Sequence, residues 1–174
     1  MSGASAVLPT GDLFALTAAL VDIPSVSHDE AALVGLLEAE IRSLDHLTVD
    51  RIGDNLVART DLGRDRRLVL AGHTDTVAPQ DNAGARVEGD RLYGVGATDM
   101  KGGIASLLEL ARTVADPAVD VTYVFYAREE IPRVHSGLLE IERERPELLQ
   151  GDVALLGEPT HGAIEAGCQG TLRV

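Results

Sequence analysis

RLVLAGHTDTV (67–77) decides the fold: an apolar run leads directly into a histidine and an aspartate two residues apart. Arg67 to Gly72 shows no polar alternation, which is the pattern of a strand covered on both faces. The arrangement recurs twice downstream. VTYVFY (121–126), β-branched and aromatic throughout, passes through Ala127 into Arg128-Glu129-Glu130, and DVALL (152–156) passes through Gly157 into Glu158. Between them, Met100 to Val114 carries Ile104, Leu107, Leu108 and Ala111 on one helical face, with Asp99 immediately before it. Strands alternating with helices predict an α/β fold, a mostly parallel mixed sheet with helices on both faces. In open sheets of that kind, ligands bind beyond the carboxyl ends of the strands. His73, Asp75, Asp99, Glu129, Glu130 and Glu158 are therefore expected in one crevice.

Outward from these strands, Asp12 to Val21 reads as a short helix stopped by Pro24. Ser27 followed by Glu30 has the form of a capping box, opening a helix whose Leu33, Leu36, Leu37, Ile41 and Leu44 recur at helical spacing. Leu47 to Ile52 and Asn55 to Thr60 flank Gly53-Asp54, a hairpin turn signal. Val87 to Tyr93 forms a second hairpin around Gly89-Asp90. Gly137 to Arg145 is a helix ended by Pro146, and Asp152 to Leu156 is read as a buried strand. No repeat, low-complexity tract or linker interrupts the chain.

Composition narrows the function. The 174 residues suffice for one domain with a real core. A net charge of −13 is the wrong sign for a nucleic-acid partner, and Lys101 as the only lysine argues against a polybasic membrane patch. The N-terminus lacks a basic n-region, and its apolar residues are broken by Pro9, Gly11 and Asp12, so it is no signal peptide. No apolar run reaches the ~20 residues that span a bilayer. One cysteine, Cys168, cannot form an internal disulfide. A cytoplasmic protein is expected, with a small-molecule partner and neither nucleic acid nor membrane.

The residue types after the strands suit metal chemistry. Divalent ions of the zinc type take imidazole and carboxylate ligands, and two ions ~3.5–4 Å apart are well served by a bridging carboxylate. Amide hydrolysis also needs a carboxylate that takes the proton of water, and Glu129 and Glu130 could divide these tasks. Asp75 suits the orientation of His73 through its other ring nitrogen. Taken singly, an H-x-D or an acidic pair is an ordinary surface pattern; their coincidence with every buried strand is what matters. Other residues have plainer readings. Lys101 reads as a helix-start side chain that packs locally, and Gly102 and Gly103 as permitting close packing. His28 reads as a surface residue, His46 as a loop residue and Cys168 as a small packing residue. Arg128 either steadies the acidic pair or points to solvent, and His135 or His161 could supply a further ligand.

GHTDTV (72–77), LYGVGATDMKGG (92–103), REE (128–130) and GEPT (157–160) together resemble the di-zinc aminoacylase/carboxypeptidase family of metal-dependent amidohydrolases. The resemblance implies a zinc-peptidase-like catalytic domain with two divalent metals, zinc or alternatively cobalt or manganese. It implies His73 and Glu158 on one metal, Glu130 on the other and Asp99 between them. Asp75 would orient His73, Glu129 would be the general base, and a cis peptide is implied at Asp99-Met100. The implied activity is removal of succinyl from N-succinyl-LL-2,6-diaminopimelate in lysine and diaminopimelate biosynthesis. The alternatives are acetylornithine deacetylation or dipeptide cleavage, and a non-catalytic metal-binding fragment. The sequence departs from the family at Val95, where arginine is common, and at IPRVHS (131–136). By this resemblance residues 1–168 form the N-terminal part of the metal-binding domain. Residues 169–174 would start a lid and dimerisation domain, and the chain alone is expected to be catalytically incomplete.

Overall fold

The computed structural model describes residues 8–167; Cys168 and the expected lid start at 169–174 lie outside the described residues. The chain opens with α1 (Leu13–Val21), capped by Asp12, whose carboxylate accepts from the Phe14 and Ala15 amides at 3.0 Å. Then follow α2 (Ala31–Arg42), β1 (Thr48–Ile52), β2 (Asn55–Arg59), β3 (Arg67–His73), the small hairpin β4 (Arg86–Glu88) and β5 (Arg91–Tyr93), and α3 (Gly102–Thr113). The described chain ends with β6 (Asp120–Tyr126), α4 (Gly137–Glu144) and β7 (Val153–Leu156).

Among the described residues, five strands form one sheet in the order β1-β2-β6-β3-β7. β3 pairs in parallel with β6 and β7, whereas β2 is antiparallel to both β1 and β6. Only β2 therefore runs against the rest, and the sheet is mixed and mostly co-directional, as expected. The α1, α2 and α3 helices bury Leu16, Leu20, Leu33, Leu37, Ile41, Ile104 and Leu108 against Leu56, Tyr123 and Phe125 on one face. α4 brings Ile141 against Val57, Val69 and Val124 on the other. The chain thus crosses from β3 to β6 through α3, then returns through α4 to lay β7 on the far side of β3. Three neighbouring parallel strands end side by side. Among the described residues no helix is long and apolar enough to cross a membrane.

Two expectations need correction. Ser27 and Glu30 do not form a capping box: α2 begins at Ala31 without a side-chain cap, Ser27 Oγ donates to Asp75 at 2.7 Å, and Glu30 turns into the protein. Distant partners, an acceptor for Ser27 and an amide donor for Glu30, outcompeted the local helix terminus. Nor is β7 buried, since Val153, Leu155 and Leu156 are 55%, 47% and 51% exposed. Among the described residues it is an edge strand, paired only with β3, and an edge strand can be as apolar in sequence as a central one.

Two buried polar groups tie loops to this frame. Lys101, 1% exposed, donates from Nζ to the Leu20 and Ile23 carbonyls at 3.0 and 2.6 Å. It satisfies carbonyls at the end of α1, where a cation is favoured, and burial pushes its ammonium down to about 8. Asp120, at the start of β6, accepts from the Leu62 and Arg64 amides at 2.9 Å each and from Thr60 Oγ1 at 2.7 Å. The Leu62 amide, together with Thr60, Arg64 and Arg67 and against the opposing effect of burial, holds its carboxyl at about 2. A depressed folded-state value stabilises above the unfolded value near 3.8 and loses that contribution as pH falls toward 2. Asp120→Asn, which turns an amide toward these donors, is expected to cost about 2 kcal/mol at neutral pH. Thermal melts from pH 5 to 2 check it: the variant's stability should fall less steeply with acid than the native protein's.

Candidate metal centre

β3 places His73 as its last residue, so the imidazole stands at the carboxyl edge of the sheet while remaining buried. β6 ends at Tyr126 and delivers Glu129 and Glu130, and β7 ends at Leu156 and delivers Glu158. Asp99 comes from the irregular turn Ala97–Lys101, where its own backbone (φ −116°, ψ 98°) and that of Met100 are not helical. The Asp99-Met100 peptide is cis. That turn is seated by Met100, fully buried, whose Sδ accepts from the His73 amide at 3.1 Å. The motif glycines make room for it: a Cβ on Gly72 would lie 2.7 Å from Met100 Cε, and one on Gly103 would collide with the Gly157 carbonyl. Close approach of backbones, as expected for Gly103, lets three motifs meet.

The result is one imidazole ringed by carboxylates. One ligand atom from each of His73, Asp99 and Glu158 lies within 4.8 Å of the others, and the same holds for His73, Glu129 and Glu130. His73 Nε2 is 2.9 Å from Asp99 Oδ1, while Nδ1 faces Asp75, 3.0 Å from its carbonyl and 3.4 Å from Oδ1. The structure therefore brings together all six residues singled out from sequence. His135 and His161 belong to neither cluster.

Electrostatics divide these groups. Burial would raise Asp75, but His73, Ser27 and the Glu129 and Glu130 amides hold it at about 2. It is a fixed anion. Burial would lower His73, yet hydrogen bonding to Asp75 and Asp99 and the charge of Glu158 raise it to about 9. Glu130 is pushed up by burial and by repulsion from Asp99, and Glu158 by burial and Asp99, with His73 opposing both. Carboxylates crowded closely enough to resist ionising, around an imidazole whose Nε2 points among them, form a donor set suited to divalent cations.

Sequence reasoning missed the support behind this loop. Arg128 faces neither solvent nor the acidic pair: its guanidinium reaches Glu140 and, at 2.8 Å, the His135 carbonyl. Asn55, buried in β2, accepts from the Ala127 amide at 3.0 Å and donates to Glu140 at 2.7 Å. Ser27 and Glu30 carried a signal, but a misleading one, because their spacing matches a local cap.

Known proteins agree with this architecture. A Corynebacterium glutamicum protein named succinyl-diaminopimelate desuccinylase is 45% identical over 94% of this chain and 46% of its own length. A Mycobacterium tuberculosis protein whose name proposes the same activity is 52% identical over 94% of this chain and 47% of its own. The chain thus spans about half the length of the curated relatives it matches. Among solved structures, an M20 family metallo-carboxypeptidase of Sulfolobus solfataricus superposes with a TM-score of 0.71, covering 85% of this chain and 37% of that one at 18% identity. Residues 69–168, from the middle of β3 past the Glu158 loop, match the model of peptidase family M20/M25/M40, and the chain belongs to that family.

Proposed function

We propose that this chain carries the metal-binding half of an amide hydrolase that cleaves N-succinyl-LL-2,6-diaminopimelate to succinate and LL-2,6-diaminopimelate, a cytoplasmic biosynthetic step. The observation that carries this is the convergence of His73, Asp99, Glu129, Glu130 and Glu158 at the ends of β3, β6 and β7. The names of the relatives support the choice of acyl group.

His73, Asp99 and Glu158 would hold one divalent ion, and Glu130 with Asp99 a second; zinc suits the donors, and cobalt or manganese would also be accepted. What such ions supply when bound is polarisation of the amide carbonyl and a lowered pKa for water. The remaining tasks fall to this chain's side chains. Asp75 keeps the His73 ring in place through Nδ1 and leaves Nε2 directed at Asp99. Glu129, more exposed than Glu130 and next to it, accepts a proton from the water that attacks the succinyl carbonyl carbon. As the C–N bond breaks, Glu129 returns that proton to the leaving amine. One water is consumed, and a carboxylate and an amine result.

Three outcomes are expected. In the protein carrying this sequence, loaded with zinc or cobalt, diaminopimelate should be released from its N-succinyl derivative, and acetylornithine should be left intact. Preferential release of ornithine would reassign the substrate. The two glutamates both group with His73, so substitutions decide their division of labour. Glu129→Gln should lower turnover by ~10³-fold or more with metal content intact, whereas Glu130→Gln should lose metal from one site. Reversed phenotypes in paired assays of turnover and metal content would exchange the two roles.

The third outcome concerns pH. His73 at about 9 is protonated at neutral pH when no metal is bound, so a metal must displace that proton. Apparent zinc affinity should rise roughly tenfold per pH unit between 6 and 8 as the proton is released more readily. Chelator competition, with calorimetry in buffers of different ionisation enthalpy, measures both slope and proton count; a flat profile would show that His73 is not the displaced group.

A further inference from the structure

Where β6 ends, the chain turns out of the sheet and its next four amides lose the partners a ladder provides. Each is met by a side chain from elsewhere. Ala127 donates to Asn55 Oδ1 (3.0 Å), Arg128 to Glu30 Oε1 (3.1 Å), Glu129 to Asp75 Oδ1 (2.9 Å) and Glu130 to Asp75 Oδ2 (3.1 Å). The bend lies at Arg128, whose φ of +62° is in the left-handed region that a long side chain rarely adopts. That conformation lets the next two amides converge on one carboxylate, in the manner of an anion-binding nest. It also carries a strain that the surroundings must hold.

Glu30 is the member of this set with no place in the chemistry proposed above. It is fully buried at the head of α2, it does not cap that helix, and among the described residues its Oε2 meets no hydrogen-bond donor. A glutamate free to cap its helix would face water. This one is desolvated and holds the Arg128 amide across the molecule. We propose that Glu30 is a positioning residue: by holding the Arg128 amide it fixes the backbone bend that aims Glu129 and Glu130 at His73. This rests on the metal-centre reading. Asn55 and Asp75 fix the amides on either side, but the bend itself is at Arg128, and Glu30 is the acceptor on its amide. Side-chain length matters too, because an aspartate on the same turn would fall one methylene short.

Amide hydrogen exchange on the native protein is the first test. The amides of residues 127–130 should be protected together although they lie outside strand and helix; exchange at open-loop rates would overturn the proposal. Glu30→Leu keeps bulk and removes the acceptor, whereas Glu30→Gln keeps an acceptor of the same length. In Glu30→Leu, exchange at residues 128–130 should quicken about tenfold or more, and Zn²⁺ affinity should fall by about the same factor. Glu30→Gln should restore both to within roughly threefold of native. Glu30→Leu indistinguishable from native in both readouts would overturn the assignment. If Glu30→Leu does not fold, Glu30→Asp replaces it: Asp should lose what Gln keeps, and equal behaviour of the two would also overturn it. Native protein with protected amides but no Zn²⁺ binding would support the clamp and overturn the metal-centre reading, so the two failures are distinguishable.

Discussion

Asp75 keeps a full negative charge inside the protein, and most of the site is arranged around that fact. A buried carboxylate is tolerated only when its lone pairs are met, and here four groups meet them, three of them from distant parts of the chain. Ser27 comes from the segment before α2, His73 from the end of β3, and the Glu129 and Glu130 amides from the loop after β6. Satisfying one anion therefore joins three segments in a fixed relation. The same anion thereby contacts both the imidazole and the backbone of the acidic pair. Two of the donors are backbone amides, which no substitution at those positions except proline removes, so the geometry tolerates other changes at Glu129 and Glu130 themselves.

The fold makes this meeting possible by bringing backbones unusually close. The parallel pairing of β3 with both β6 and β7 ends three strands at one level. The fourth contributor, the Asp99 turn, must then approach the sheet from α3. Met100 anchors that approach by filling the space that Gly72, Gly103 and Gly157 leave open. Packing of one thioether thus couples the glycines of three motifs to the placement of an aspartate. The larger apolar core lies deeper, under α1, α2 and α3, and supplies a platform stiff enough that such a small contact decides position.

How far the sequence revealed this depends on whether the signal was local. β3 and β6 announce themselves because burial on both faces demands unbroken apolar residues, and a polar residue directly after such a run stands at the sheet's carboxyl edge. His73, Asp75, Glu129, Glu130 and Glu158 were legible for that reason, and Asp99 because it precedes a periodic helix. Ser27 and Glu30 misled because a capping box is defined by spacing alone, whereas their partners are Asp75 and the Arg128 amide, far away in sequence. β7 misled because apolar content does not distinguish a central strand from an edge. Arg128 was hidden in another way: nothing in a residue's type discloses a left-handed backbone or a guanidinium drawn back toward Glu140.

The charge arrangement has a consequence for stability that neither part of the site shows alone. Asp75, depressed to about 2, contributes above its unfolded value near 3.8 and loses that contribution as pH falls toward 2. His73, raised to about 9, contributes fully below its unfolded value near 6.5 and loses that contribution as pH rises through 9. In the metal-free protein the pair is thus most stabilising between about pH 4 and 6.5, where the imidazolium is the counter-charge to Asp75, Asp99 and Glu158. On the proposed reading, a divalent cation held by the same carboxylates would take over that task, in exchange for the proton, and the ring would stay held by Asp75. The alkaline loss would then no longer apply, because the positive charge would no longer depend on a proton. Metal binding and folding would then be coupled through His73, and the coupling would strengthen as pH rises above the range where the proton suffices.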